Sequence, residues 1–309
     1  MIYNVGSINI DHVYRVPHLV RPGETLTGHN YRQILGGKGA NQTIAIARAG
    51  GQVRHIGAIG HQDSWILQVL AATGADTDTI RQCPDLLSGH AVIQVDDDSE
   101  NAIVLYPGAN GEMPFEAISE PLSQTQPGEW LLMQNECAHL ESTLRLAREK
   151  GLKIAFNPAP MTANVAKLKL DDVSLLFVNE GEALDLVALK EHVPLSEITH
   201  ACTSPEQLMN RLRRHYPRTA CVLTLGAKGA MYSNGTTHIT RKAYRVKALD
   251  TTAAGDTFVG YFMAATLRDA SPQQALDEAI AAAALCVQKE GASSSIPDHS
   301  EVVALYQSR

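Results

Sequence analysis

The sequence predicts an α/β fold built on a mostly parallel sheet, and three observations carry that expectation. Apolar, β-branched runs alternate along the chain with helical patterns, which favours crossover connections between parallel strands. Several of the strand patterns end in Asn or acidic residues, at the end where open α/β sheets bind ligands. One solvated strand pattern and a two-stranded hairpin stand outside the alternation and read as a small separate sheet.

With 309 residues, 44% of them hydrophobic, the chain can bury a large core, and its length allows either two domains or one large α/β domain. A formal net charge of −7 and the lack of any Lys/Arg cluster argue against a nucleic-acid-binding surface, so a small-molecule partner is expected. Five cysteines (Cys83, Cys137, Cys202, Cys221, Cys286) include no C-x-x-C pair, which suggests neither a disulfide framework nor a thiolate zinc site. They are expected to be reduced thiols. The chain opens on a strand-like run with no basic, apolar leader, and no stretch approaches the roughly 18 apolar residues that span a bilayer. A cytoplasmic location without membrane contact is the expectation.

Met1 to Asp11 places Ile2, Val5, Ile8 and Ile10 around Gly6-Ser7 and predicts a first strand with a polar tip. Asn9 and Asp11 lie two apart, so on extended backbone their side chains share a face and can converge on one hydroxyl-bearing ligand. An Asx-type turn explains either residue alone. Thr25 to Leu35 has a patchy period-two pattern, the solvated strand. Gly36-Gly37-Lys38-Gly39-Ala40-Asn41-Gln42 then leads into a helix through Thr43 to Ala47. Its glycines permit positive φ and close backbone approach to a ligand, or simply a flexible turn capped by Asn41. It is not a Walker A loop, because the glycine required five positions before the Gly-Lys pair is Arg32.

Gln52 to Ile59 predicts the next strand and Ser64 to Thr73 a helix. Ala91 to Val95 and Asn101 to Leu105 form the hairpin, joined by Asp96-Asp97-Asp98-Ser99-Glu100, which lacks calcium-loop spacing. Glu129 to Gln134 is an apolar strand leading through Asn135-Glu136-Cys137 into a helix over Ala138 to Lys150. Glu136 fits either a ligand contact at a strand end or a favourable charge at a helix start. Lys153 to Phe156 is a strand running into the rigid turn Asn157-Pro158-Ala159-Pro160. Val173 to Val178 leads to Asn179-Glu180-Gly181-Glu182, whose hard oxygens three apart on a helix start suit water-mediated Mg²⁺, although an N-x-x-E string is common by chance.

Pro205 to His215 predicts a helix and Thr219 to Leu225 a strand, ending in Gly226-Ala227-Lys228-Gly229, a close-approach turn or a plain β-turn. In Asp250 to Gly260, small side chains at Ala253, Ala254 and Gly255 leave backbone N–H groups open at the positive end of a helix, an anion cradle. Asp256 is out of place in a simple phosphate loop, whereas a general base beside a phosphoryl group explains it. An ordinary N-cap by Asp250 or Thr251 explains the stretch about equally well. The helical pattern continues through Phe262, Ala265 and Leu267, and an Ala-rich helix over Pro272 to Glu290 and a loop over Gly291 to Pro297 follow. No G-x-S-x-G, H-E-x-x-H or C-x-x-C motif is present, and the 12 histidines show no ligand spacing.

Asp250 to Gly260 fills every fixed position of D-T-x-(A/G)-A-G-D-x-F-x-G. Gly36 to Asn41 is G-G-K-G-A-N, Gly6 to Asp11 fits G-x-x-N-x-D, Met133 to Glu136 fits M-Q-x-E, and Asn179 to Glu182 fits N-x-x-E. In these motifs and their order the chain resembles the ribokinase family of carbohydrate kinases, also called the PfkB family, over essentially its whole length. That resemblance implies a three-layer α/β/α sandwich in one domain over 1–309, with a small β lid from about 12–35 and 90–107 that is often used for dimerisation. It implies Asp256 as catalytic base beside an anion hole at Ala253, Ala254 and Gly255. Asn9, Asp11, Gly37, Lys38, Asn41 and Glu136 would contact the sugar, and Leu105 or Tyr106 would face it. Thr224, Gly226 and Gly229, with Asn179 and Gly255, would lie at ATP, and Asn179 and Glu182 would reach Mg²⁺ through water. Asp250, Thr252, Cys286, Gly291 and Ser295 match a monovalent-cation site, usually for K⁺.

The implied activity is ATP-dependent phosphorylation of the primary 5-hydroxyl of a pentose. Ribose is favoured because the N-x-D and G-G-K-G-A-N motifs are complete. Deoxyribose and nucleosides stay open, since residues outside the motifs decide them. A sugar phosphate is disfavoured for want of a convergent Arg or Lys set. A non-catalytic sugar or nucleotide sensor is the alternative of another class, and an intact Asp256 argues against it. The expected partners are the sugar, ATP and a second copy of the chain docked through the lid.

Overall fold

The computed structural model describes residues 1–98 and 100–307. The first strands are β1 (Ile2–Val5), β2 (Asn9–Arg15), β3 (Asn30–Gly36), β4 (Val53–Gly60), β5 (Ile80–Cys83), β6 (Gly89–Val95) and β7 (Asn101–Tyr106). Then come β8 (Trp130–Gln134), β9 (Lys153–Asn157), β10 (Leu175–Asn179), β11 (Ala220–Thr224), β12 (Ala230–Ser233) and β13 (His238–Arg241). The helices begin with α1 (Lys38–Arg48), α2 (Trp65–Ala71), α3 (Ala109–Glu112), α4 (Glu116–Ser123), α5 (Leu140–Glu149) and α6 (Glu180–Glu191). They continue with α7 (Leu195–Ala201), α8 (Pro205–His215), α9 (Ala254–Leu267), α10 (Pro272–Cys286) and α11 (His299–Gln307).

One sheet runs β13-β12-β11-β10-β9-β8-β1-β4-β5, and every pair from β11 to β5 is parallel. Its inner strands are apolar on both faces because each face carries a helical layer. Leu131, Met133, Ile154, Phe156, Leu176, Val178 and Leu223 enter one core with α4 to α8. Their neighbours Leu132, Ala155, Leu175, Phe177 and Val222 enter the other with α1, α2, α9, α10 and α11. That is the expected three-layer sandwich. α9 has buried residues continuously from Thr257 to Ala265, and Gly260 lets it lie against α1, since a Cβ there would stand 2.3 Å from that of Ala45.

The second sheet, β3-β2-β6-β7, is the small separate sheet expected as a lid. The expected first strand divides into two: β1 ends at Val5 in the large sheet and β2 starts at Asn9 in the lid. The break at Gly6 comes from tertiary packing, because the start of α1 presses on it so closely that a Cβ on Gly6 would sit 2.5 Å from Gly39 Cα. Asn9 and Asp11 therefore stand at the root of the lid, and the lid begins before residue 12. The expected strand over Thr25 to Leu35 starts only at Asn30, after the turn that Glu24 N closes on Arg21 O (3.0 Å). The Ala-rich helix stops at Cys286 instead of Glu290, where a turn follows. Ser99, placed in the hairpin turn by the sequence reading, and the last two positions of the proposed 1–309 domain lie outside the described residues.

Period-two alternation gives the lid two faces. Asp11, Val13, Arg15, Arg32, Ile34 and Ile103 line a cleft of about 420 Å³ whose other wall includes Leu249 to Thr252 and Glu290 to Ala292. His12, Tyr31, His90 and Tyr106 form an aromatic cluster on the opposite face. Of the two residues expected to face a substrate, Leu105 alternates onto the cleft side and Tyr106 packs outward against His90. No helix among the described residues is long and apolar enough to cross a membrane.

Candidate active site

α1 begins with no side-chain cap, and its first turn lies against the β1–β2 connection. Gly37 adopts φ 90°, and a Cβ there would approach Asn9 N to 2.7 Å. Ala40 N donates to Ser7 O (2.9 Å), which locks the contact. The turn thus delivers Lys38, Asn41 and Gln42 to one place. Lys38 Nζ lies 3.8 Å from Glu136 Oε1, and Glu136 Oε2 accepts a very short hydrogen bond from Ser7 Oγ. Burial alone would lower the pKa of Lys38, but Asp256, Glu136, Glu182 and Asp11 surround it and hold it above the ordinary lysine value. It remains an ammonium.

Asn9 Oδ1 accepts from Asn110 Nδ2 (2.8 Å), and Asn110 is itself clamped to Ile8 N and O. Asp11, 9% exposed, has room for its carboxylate because position 36 is glycine, where a Cβ would fall 2.1 Å from Asp11 Oδ2. Burial, then Glu136 and Asp256, push Asp11 up to about 6 against the pull of Lys38. A carboxyl whose folded pKa is raised gives stability that is complete below its unfolded pKa and lost as pH rises through about 6. Asp11→Asn is therefore expected to raise the unfolding free energy of the ligand-free protein by roughly 1–3 kcal/mol at about pH 8, with the gain shrinking toward pH 5. Thermal melts at both pH values check it, and a loss of stability at the higher pH would refute it.

α9 starts from Ala253 in the left-handed region (φ 60°), again with no side-chain cap. Ala254 N turns back to Thr251 O (3.3 Å), while Gly255 N and Asp256 N have no acceptor among the described residues. Nothing lies within 4 Å of where a Gly255 Cβ would be. The expected cradle is thus centred on Gly255 and Asp256 and shifted off Ala254. Asp256 is half-buried, and Asn41 Nδ2 and Gln42 Nε2 donate to its two oxygens (3.0 Å each). Burial raises its pKa, while Lys38, Asn41 and Gln42 oppose that rise. Asn41 Oδ1 is buried with no partner among the described residues.

Asn179 and Glu182 form a capping box at the start of α6: Glu182 N donates to Asn179 Oδ1 (2.8 Å) and Asn179 N to Glu182 Oε2 (2.9 Å). Local helix capping accounts for the N-x-x-E string, and Glu182 is nevertheless close enough to Lys38 and Asp256 to feel both charges. Thr224 pairs with Asn179 across the adjoining strand tips. Gly226 (φ 56°) faces open space, whereas a Cβ on Gly229 would fall 1.9 Å from Arg241 O, so Gly229 serves the packing of β13. The five cation-site candidates do converge. Thr252 N and Oγ1 donate to Asp250 Oδ1 (2.8 and 2.6 Å), and Gly291 N donates to Oδ2 (3.0 Å). Cys286 Sγ lies 3.7 Å from Thr252 O and 3.1 Å from Ser295 Oγ. No group of three or more His, Cys, Asp or Glu among the described residues is arranged to hold a metal ion.

The side chains that sequence reasoning passed over are Ser7, Gln42, Asn110 and Gln134. Ser7, Gln42 and Gln134 sit inside or beside the matched motifs, which was a usable signal. Asn110 reaches Asn9 across 101 positions, and nothing local marks it.

The arrangement sets a half-buried carboxylate beside open helix N-terminal donors, with a cluster of polar and charged side chains around it. Comparison with known proteins agrees with the motifs. Residues 1–299 match the model of the pfkB family of carbohydrate kinases. A ribokinase of Haemophilus influenzae is 37% identical over 303 residues, covering 97% of this chain and 96% of its own. The crystal structure of a ribokinase from Cryptococcus neoformans in complex with ADP superposes with a TM-score of 0.84 at 35% identity, covering 98% of each chain. A ribokinase of Arabidopsis thaliana complexed with ribose and ATP gives a TM-score of 0.82 at 25% identity, covering 99% of this chain and 98% of that one. The chain belongs to the pfkB family of carbohydrate kinases.

Proposed function

We propose that this protein is an ATP-dependent ribokinase, transferring the γ-phosphoryl group of ATP to the primary 5-hydroxyl of D-ribose. The observation that carries the reading is Asp256, half-buried at an open helix N-terminus and held by Asn41 and Gln42 within the field of Lys38. Asn9, Asp11, Lys38, Asn41 and Glu136 hold the sugar so that its hydroxyl meets Asp256, and the unpartnered Asn41 Oδ1 is an acceptor for a second hydroxyl. Asp256 takes the hydroxyl proton as the oxygen attacks phosphorus in line. The N–H groups of Gly255 and Asp256 stabilise the charge on the phosphoryl oxygens.

Thr224 and Gly226 are assigned to the nucleotide side, where the space over Gly226 is open. Mg²⁺ fits here only through water and phosphate, since the capping box occupies Glu182 Oε2 and Oε1 has no hydrogen-bond partner among the described residues. It would supply charge neutralisation. The junction of Asp250, Thr252, Cys286, Gly291 and Ser295, with the Asp250 carboxylate and Thr252 O among its oxygens, is assigned to a monovalent cation such as K⁺. The outer aromatic face of the lid is the surface assigned to a homodimer, and the five unpaired thiols accord with a cytoplasmic location.

A coupled ADP-release assay over ribose, deoxyribose, fructose and nucleosides, run in K⁺ and then in a large organic cation, tests the reading. Ribose should give the highest kcat/KM, and K⁺ should raise it. A preference for deoxyribose or a nucleoside would reassign the substrate within the family. Ligand binding with no turnover on any acceptor would favour the sensor instead.

A further inference from the structure

Behind Asp256, away from the cleft, lies a chain of buried amides whose direction is set by the main chain. Gln42, fully buried, donates from Nε2 to Asp256 Oδ1 (3.0 Å) and to Asn157 Oδ1 (3.2 Å). Its Oε1 accepts from Gln134 Nε2 (2.7 Å), and the same nitrogen donates to Asn4 Oδ1 (2.9 Å). Asn4 Nδ2 donates to Gly39 O (2.8 Å) and Thr43 Oγ1 (2.8 Å), and Asn157 Nδ2 donates to Phe177 O (3.2 Å).

A main-chain carbonyl only accepts, so any amide end that meets one must be NH₂. Gly39 O therefore turns the NH₂ of Asn4 toward itself and leaves Asn4 Oδ1 for Gln134. Gln134 must then present NH₂, so Gln42 presents Oε1 to Gln134 and NH₂ to Asp256. Phe177 O imposes the same answer from the other side: Asn157 turns its NH₂ to that carbonyl and its Oδ1 to Gln42. Two independent anchors, one in α1 and one in β10, agree. A side branch closes consistently. Gly6 O only accepts, so His55 carries its proton on Nε2 (3.1 Å) and its Nδ1 accepts from the Thr43 hydroxyl (2.7 Å), which leaves Thr43 Oγ1 only to accept from Asn4. Burial pushes His55 down to about 4, in keeping with this neutral form. If the Gln42 amide were reversed, oxygen would face carboxylate at one end and NH₂ would face NH₂ at the other.

We infer that Gln42 is a positioning residue for phosphoryl transfer, its amide locked by Gln134 and Asn157 so that Asp256 always meets a donor. The donor keeps the carboxylate ionised and aims its second oxygen at the acceptor hydroxyl. Gln134 touches neither Asp256 nor the cleft and acts only through Gln42. The inference rests on Asp256 being the base.

Gln42→Met and Gln134→Met keep volume and remove one link each. Expected are a fall in kcat of about 10–100-fold for the first and about 3–10-fold for the second, with KM for ribose and ATP within about threefold. The double variant should be no slower than Gln42→Met alone, because Gln134 has no other route to the base. Independent losses that multiply, or wild-type kcat in Gln42→Met, would overturn the inference. On the unaltered protein, ¹⁵N chemical shifts of the histidine rings should show His55 as the Nε2–H tautomer at neutral pH. The Nδ1–H tautomer would break the stated polarity whether or not the variants fold. Near-normal turnover in Asp256→Asn would remove the base and this inference together, whereas the outcomes above remove the inference alone.

Discussion

Asp256→Asn is expected to lower kcat by about 10²–10⁴-fold while leaving sugar binding within a few-fold. The substitution is isosteric, so the walls of the cleft stay in place. Its new amide can still accept from Gln42 Nε2 through oxygen, and its NH₂ then faces Asn41, whose unpartnered Oδ1 allows that side chain to turn over and accept. The lost function is proton acceptance, since an amide cannot take the hydroxyl proton when the oxygen attacks. Steady-state kinetics combined with calorimetric titration of ribose separates the two effects. A variant turning over at near the wild-type rate would mean that another group, or solvent, takes the proton.

Gly39→Ala should damage both stability and activity, at about 2–4 kcal/mol and more than about tenfold in kcat/KM. A Cβ at Gly39 would stand 2.4 Å from Gly6 C, Gly6 Cα and Ser7 N. All three are backbone atoms, so no side chain can swing aside. The first turn of α1 has to move, and it carries Lys38, Asn41 and Gln42 with it. Denaturant midpoints and kcat/KM measure the two losses. Gly255→Ala is the contrast, because a methyl there meets nothing within 4 Å and the residue lies in the first turn of α9. It should fold at least as stably as the parent and lose turnover, since the methyl enters the space assigned to the phosphoryl group. Unchanged activity in Gly255→Ala would place the phosphoryl group elsewhere.

Much of the fold was legible because its strands are short apolar runs between helices and their alternation has few solutions. The residues that matter most in the site were legible because they cluster in short motifs. The failures have a common cause. Ile8 and Ile10 continue the apolar pattern of Ile2 and Val5, and nothing local says that the chain leaves one sheet for another at Gly6. β12 and β13 add an antiparallel edge to the large sheet, decided by which partner strand is free. Asn179 and Glu182 look like metal ligands in a linear string and are each other's hydrogen-bond partners in space. Gly229 looks like part of a ligand loop and is held by Arg241 O, 12 positions on.

By itself the sequence determined the fold class, and it pointed to Asp250 to Gly260 as the proposed anion cradle and to Asp256 as the proposed base, because each reading depends on residue type at short, fixed spacing. Only the tertiary structure decided that Asn9 and Asp11 belong to the lid, that Lys38 is held among four carboxylates, and that Asn110, Gln134 and Asn157 stand behind the side chains in the cleft. Those facts depend on contacts between segments tens to hundreds of positions apart, whose closeness is set by two cores packing on one sheet. Residue patterns within a single segment do not encode them.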